Sequence, residues 1–170
     1  MQLSIRRAKP DDSTAISQVA ARTFALACPV DTPASEIDAY IAGQLMPANF
    51  ERMSLAPNKR LTVALLSGRV IGYSLVSHEP EALGIAAADG IAELSKCYVL
   101  PEYHGKGVSQ RLVADIFANV TGPLRLTVND GNSRAIAFYT RNGFEVMGET
   151  TFQCGEDVHR DLVMLRVDGA

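Results

Sequence analysis

Two glycines and a lysine stand where one element of the chain hands over to the next. The segment reads Val99-Leu100-Pro101-Glu102-Tyr103-His104-Gly105-Lys106-Gly107-Val108-Ser109. Glycine lets main chain approach an anion closely and accepts φ values that other residues avoid. The N–H groups at the start of a helix have no intrahelical acceptor, and the helix dipole favours negative charge beside them. Such a junction can cradle a phosphate with main-chain donors, and Lys106 adds a mobile positive charge. The same glycines also suit a tight strand-to-helix turn that binds nothing. The segment is not a P-loop, because G-x-x-x-x-G-K-[ST] is missing. Nor is it a dinucleotide fingerprint, because G-x-G-x-x-G is missing.

Other reactive side chains are scattered. Cys28, Cys97 and Cys154 lie far apart, as do His78, His104 and His159. No C-x-x-C pair occurs, so neither a disulfide framework nor a metal site is expected. Cys97 has no sequential His partner and reads as a buried thiol in preference to an acyl-carrying nucleophile. Glu93 shares parity with Ser95, Cys97 and Val99, which puts the four on one face of a strand. His78 and His159 receive no role.

The elements that position these residues follow from periodicity and punctuation. Residues 2–8 read as a short strand. Pro10, Asp11 and Asp12 announce a helix, with Asp11 or Asp12 as its cap, whose apolar face is Ile16, Val19, Ala20 and Phe24, ending at Cys28–Pro29. A second helix is expected from Thr32–Pro33, with Thr32 as cap and Pro33 at the first helical position. Residues 46–58 are ambiguous, with Pro47 and Pro57 bracketing a short helix as one reading. Strands are expected at 61–66 and 70–77 around a Ser67–Gly68 turn, and at 91–99, after a loop over 80–89. A helix follows the glycines, with Val108, Leu112, Val113, Ile116 and Phe117 at helical spacing, and Gly122–Pro123 terminates it. Residues 124–129 alternate as a strand. Asn132 or Ser133 opens a helix to about Arg141, closed by Asn142–Gly143. Strands at about 144–152 and 158–166 complete the chain. The order β-α-α-β-β-β-α-β-α-β-β mixes hairpins with helical crossovers and implies a mixed sheet with helices on its faces. No linker, repeat or low-complexity segment divides residues 1–170, so one domain is expected.

Composition sets the outer bounds. The 170 residues are 47% apolar and 21% charged, which fits a globular chain and disfavours disorder. A net charge of −3 without a Lys/Arg cluster gives no support for nucleic-acid binding. No apolar run approaches a membrane span, and the N-terminus lacks a signal-peptide core. With its odd, scattered cysteines the chain fits a reducing, cytoplasmic compartment.

The glycine segment resembles the signature of the GNAT superfamily of acetyl-CoA-dependent acyltransferases, Arg/Gln-x-x-Gly-x-Gly/Ala, at the same strand-loop-helix junction. Here it reads His104-Gly105-Lys106-Gly107-Val108-Ser109. His104 replaces Arg or Gln, and Ser109 replaces Gly or Ala. Residues 132–145, NSRAIAFYTRNGFE, match a second element of that family, Asn-x-x-Ala-x-x-Phe-Tyr-x-x-x-Gly-Phe, at Asn132, Ala135, Phe138, Tyr139, Gly143 and Phe144. The two elements fall in the family's order, with a helix and a strand between them. The resemblance implies an α/β fold (α+β mixed), with a mixed, mostly antiparallel sheet of about seven strands flanked by about four helices. It implies acetyl-CoA as cosubstrate and no metal, with Tyr98, Val99, His104, Gly105, Lys106, Gly107, Val108, Ser109 and Asn132 at the nucleotide thioester. His104 is expected to donate through its backbone N–H.

The implied chemistry has three demands. An alkylammonium with a pKa of about 10.4 is neutral for only about one part in 10³ at pH 7, a deficit of roughly 4–5 kcal/mol, so a proton must be removed. The oxyanion formed by attack on the thioester needs a fixed donor; by resemblance this is a backbone N–H near Val99. The leaving thiolate needs a proton, and by resemblance the Tyr139 phenol stands near the sulfur. Tyr139 also reads as a packed aromatic whose hydroxyl reaches solvent. Glu93 lies at the offset where several members of the family carry a base glutamate, acting through water; an ordinary surface or salt-bridged glutamate is the other reading.

The segments 22–41, 93–107 and 151–164 look like the PaiA-type spermidine/spermine N-acetyltransferases, which makes a polyamine a reasonable acceptor. Glu36, Asp38, Glu79, Glu81 and Asp89 could attract a polycation or simply solvate the surface. The expected partners are therefore a small-molecule amine and a second copy of the chain in a homodimer, with neither nucleic acid nor membrane. A peptide α-amine or Lys side chain is the alternative acceptor. A CoA-binding sensor without turnover is the alternative of another class.

Overall fold

A computed structural model of the chain describes residues 2–154 and 156–167. Its strands are β1 (Leu3–Arg7), β2 (Lys59–Leu66), β3 (Arg69–Ser77), β4 (Ala92–Val99), β5 (Leu124–Asn129), β6 (Glu145–Cys154) and β7 (Asp157–Arg166). Its α-helices are α1 (Ser13–Ala27), α2 (Ala34–Gln44), α3 (Pro47–Leu55), α4 (Val108–Asn119) and α5 (Ser133–Arg141). Seven strands form one sheet in the order β1-β2-β3-β4-β5-β7-β6. β1 runs antiparallel to β2, β4 parallel to β5, and β7 antiparallel to both β5 and β6. This is the mixed, mostly antiparallel α/β architecture expected, with five α-helices among the described residues in place of about four.

The additional helix is α3, which fills the stretch that periodicity left ambiguous. Pro47 supplies a pre-set φ at its first position. The Asn49 side chain accepts a hydrogen bond from the Met46 N–H at 3.0 Å, and Phe50 is wholly buried. One large apolar anchor and a cap suffice where a longer amphipathic stripe is missing.

Contacts divide the chain into two compact units. The first comprises Met1–Val76 and Lys96–Val120, the second Ser77–Ser95 and Thr121–Ala170. The first has a continuous core of Ile16, Val19 and Ala20 from α1, Phe50 from α3, Val63 and Ile71 from β2 and β3, and Val108 and Leu112 from α4. Ser67 and Gly68, at φ 51° and 84°, make the β2–β3 turn, the left-handed geometry that a tight hairpin demands. Gly72 answers a different need, because a Cβ there would stand 2.9 Å from the Tyr98 carbonyl oxygen. The second unit buries Leu124, Leu126 and Val128 of β5, Phe144, and Val163 and Met164 of β7. A register shift between Val146 and Gly148 marks a bulge in β6.

Local chemistry bears out the cap position of one helix and corrects that of another. Asp12 stands at the N-cap of α1 but makes no cap bond with its side chain. Its carboxylate accepts instead from the Arg6 guanidinium at 2.8 and 3.1 Å and from the Lys9 N–H at 2.7 Å. The cap position of α2 belongs to Pro33, not Thr32, and Thr32 is buried one residue earlier.

Candidate active site

In the first unit, β4 ends at Val99, a single 3-10 turn covers Pro101–Tyr103, and α4 begins at Val108. Gly105 and Gly107 both adopt positive φ, +75° and +79°. L-residues resist that conformation, so glycine is required here by backbone geometry. A Cβ built on either residue meets no atom within 4 Å. Crowding is therefore not the reason for glycine, and open space flanks the main chain at the mouth of the helix. Gly107 is the N-cap of α4, and its carbonyl accepts from the Arg111 N–H at 3.0 Å. The amides of Val108 and Ser109 fall in the first turn, where helix geometry offers them no acceptor. Lys106 Nζ lies 5.9 Å from the centroid of the Tyr103 ring, within cation–π range. The residues from Tyr98 to Ser109 thus form one junction with a main-chain surface suited to an anion.

His104 departs from its expected part. Its backbone N–H donates to the Pro101 carbonyl at 3.1 Å, closing the 3-10 turn, and is not left for a ligand. Its ring Nε2 lies 2.7 Å from the Val99 carbonyl oxygen. A carbonyl only accepts, so Nε2 carries the proton in this contact. His104 therefore pins the end of β4, and the main-chain donors of the junction start at Gly105. Beside it, the Tyr98 ring packs 6.0 Å from that of Tyr73. Desolvation raises the Cys97 thiol to about 12. A thiol so raised is protonated at neutral pH and is a poor nucleophile; its residue is partly buried, where the sequence reading expected a buried thiol.

In the second unit, Asn132 caps α5, its Oδ1 accepting from the Ala135 N–H at 3.2 Å. Gly143, at φ +91°, ends the same helix, which is the glycine C-cap expected. The partly buried Tyr139 is held edge-on between Phe138 and Phe144, with ring centroids 5.3 and 5.6 Å away. Phe144 is core.

Glu93, the second residue of β4, stands opposite Arg125 of β5 in the parallel pairing. Its Oε1 accepts from Arg125 Nε at 3.3 Å and its Oε2 from the Ser95 hydroxyl at 3.2 Å. Ser95 Oγ is in turn 3.2 Å from Ser77 Oγ. Arg125 is only 1% exposed, and sequence reading passed it over. The strand LRLTVN alternates, so Arg125 looks like one of its solvated positions. What would have exposed it is the cross-strand register with Glu93, and that is not a local property.

The chain belongs to the acetyltransferase (GNAT) family, whose model matches residues 27–144. Family membership makes it an acetyl-CoA-dependent acyltransferase. An uncharacterized N-acetyltransferase of Mycobacterium tuberculosis is 36% identical over 159 residues, covering 91% of this chain and 97% of that protein. The fold is similar to that of the PaiA N-acetyltransferase from Thermoplasma acidophilum, solved in complex with coenzyme A, at a TM-score of 0.79, 20% identity, and coverage of 98% and 99% of the two chains. It is also similar to that of a phosphinothricin acetyltransferase from Sinorhizobium meliloti, solved with acetyl-CoA, at a TM-score of 0.69, 23% identity, and coverage of 99% and 90%.

Proposed function

We propose that the protein transfers the acetyl group of acetyl-CoA to a primary amine on a small molecule, with polyamines such as spermidine the first candidates. The observation that carries the donor half is the pair of glycines at positive φ, with open space on their Cβ sides, at the mouth of α4. Main-chain amides from Gly105 to Ser109 hold the diphosphate there, and Lys106 neutralises part of its charge. Acetyl-CoA, when bound, supplies an acyl group activated as a thioester. Tyr98 and Val99 line the end of β4 beside it, and a backbone N–H near Val99 donates to the carbonyl oxygen as charge develops there. Asn132 binds toward the pantetheine arm, and the Tyr139 phenol gives its proton to the departing sulfur.

Glu93 takes the ammonium proton through a water. The Ser95 hydroxyl and the Arg125 guanidinium hold the carboxylate from two sides: this is the salt-bridged glutamate of the other reading, and it gives the proposed base a defined orientation. A polyamine is favoured by likeness to the PaiA-type sequences and by the exposed acidic residues Glu79 and Glu81, which lie in or beside the loop that leads into β4.

Release of free thiol from acetyl-CoA tests this reading, with spermidine, simple monoamines, a peptide α-amine and a Lys-containing peptide as acceptors. Fastest release with spermidine is expected. Release with peptides alone overturns the small-molecule acceptor. Acetyl-CoA binding without release on any acceptor overturns turnover in favour of a sensor.

A further inference from the structure

The buried Arg125 has more partners than one carboxylate requires. Its Nη1 donates to the Ala88 carbonyl at 3.1 Å, its Nη2 to the Glu81 carbonyl, and its Nε to Glu93. Asp89 adds a carboxylate oxygen 3.6 Å from Nη1. The same Asp89 carboxylate accepts from the Leu83 N–H at 2.7 Å and the Gly84 N–H at 3.2 Å. One guanidinium thus joins the loop over 81–89 to Glu93, and one carboxylate closes that loop on itself. Ala88 is wholly buried. A Cβ on Gly148 of β6 would meet Ile85 Cδ1 at 3.1 Å, so the loop also packs closely on β6. The whole arrangement lies within the second unit.

Only arginine fits this place. Its five donors sit in a rigid planar fork that can serve a carboxylate and two carbonyls at once, whereas lysine offers a compact point charge. The cost of burying a charge is offset only where its donors are satisfied. A surface-facing salt bridge would need none of this.

We propose that Arg125 is a positioning residue for acetyl transfer: through Nε it orients Glu93, and through Nη1 and Nη2 it holds the loop over 81–89 as a fixed wall of the amine-acceptor site. The first half rests on Glu93 being the base. The second half rests on the same reading, since Glu93 is what puts the acceptor beside this loop, and it makes the loop, with the exposed Glu81, a determinant of acceptor specificity.

Steady-state kinetics with acceptor and acetyl-CoA varied separately test both halves. Arg125→Gln is expected to lower kcat about tenfold or more, as misplacement of a catalytic group does, with acetyl-CoA affinity within about twofold. Arg125→Lys is expected to leave most of that loss in place, because the fork is gone. The decisive comparison is Glu93→Gln/Arg125→Gln, which should be no slower in kcat than Glu93→Gln alone. A double variant slower by the product of both losses overturns the positioning role. Asp89→Ala keeps the buried guanidinium and frees the Leu83 and Gly84 amides. It should raise the acceptor KM severalfold with kcat within about twofold, and an unchanged KM overturns the wall whether or not Arg125→Gln folds. Full rate in Glu93→Gln would instead overturn the base reading and both halves with it, whereas a slow Glu93→Gln with multiplying losses in the double variant overturns the positioning role alone.

Discussion

The Tyr139 ring is wedged between Phe138 and Phe144, so Tyr139→Phe removes one hydroxyl and leaves the packing in place. The proposed role of that hydroxyl is to protonate a thiolate, and general acid catalysis is worth about 10²–10⁴ in rate. Steady-state assays should therefore show kcat lower by at least about tenfold, while calorimetry finds acetyl-CoA affinity within about twofold. An unchanged kcat would remove Tyr139 from the reaction. A second residue, Asp12, titrates for structural reasons. Its hydrogen bonds from the Arg6 guanidinium, chiefly, and from the Lys9 N–H hold its carboxyl below the usual aspartate range. A folded-state value below the unfolded one gives stability that is present above the unfolded value, about 3.9, and is lost as pH falls through the folded one. Asp12→Asn should thus lower the denaturation midpoint at pH 7, and the gap from the parent protein should close as pH falls below about 4. A gap that persists into strong acid would show that packing, not charge, accounts for it.

Elements built from local signals were legible. The Ser67–Gly68 turn, the Asn132 cap, the Gly143 terminus and the apolar stripe of α4 each depend on a few adjacent residues, and each stands where it was expected. Features decided by distant partners were not. α3 has only a short apolar face, with Phe50 fully buried and Met53 partly buried against the core. Asp12 keeps the N-cap position of α1, but its carboxylate turns to Arg6 of β1. The His104 amide was taken by the turn that Pro101 begins. Arg125 appeared polar and outward until cross-strand register put Glu93 and the 81–89 loop around it. The glycine junction lies between these cases: its sequence announced a turn, and only the dihedral angles and the open Cβ sides show why both residues are glycine. Gly107→Ala tests that account at the level of the element. No atom obstructs the added methyl, so the cost is backbone strain of about 1–2 kcal/mol. The methyl also projects into the space proposed for the diphosphate. Denaturation should show a stability loss of that size, and calorimetry a weakened acetyl-CoA complex. Stability lost with affinity unchanged would keep the turn and discard the cradle.

At the scale of the molecule, the net charge of −3 is small, so attraction for a polycation must come from local acidic groups, not from the global field. Exposed charges are screened within a Debye length of about 8 Å at physiological ionic strength. The kcat/KM for spermidine should therefore fall with added salt more steeply than that for a monoamine of similar length. Equal slopes would argue against acidic recognition of the acceptor. The match of residues 27–144 to the acetyltransferase (GNAT) family, the seven-stranded sheet and the glycine junction converge on one donor. The most direct test is calorimetric titration of acetyl-CoA and of S-acetylpantetheine, which lacks the diphosphate, into the parent protein and Gly107→Ala. Acetyl-CoA should bind the parent at least about 100-fold more tightly than S-acetylpantetheine, since charge-assisted hydrogen bonds are the strong ones, and Gly107→Ala should narrow that ratio. An unchanged ratio, or no heat from acetyl-CoA in the parent, would contradict a diphosphate held by the amides at the mouth of α4.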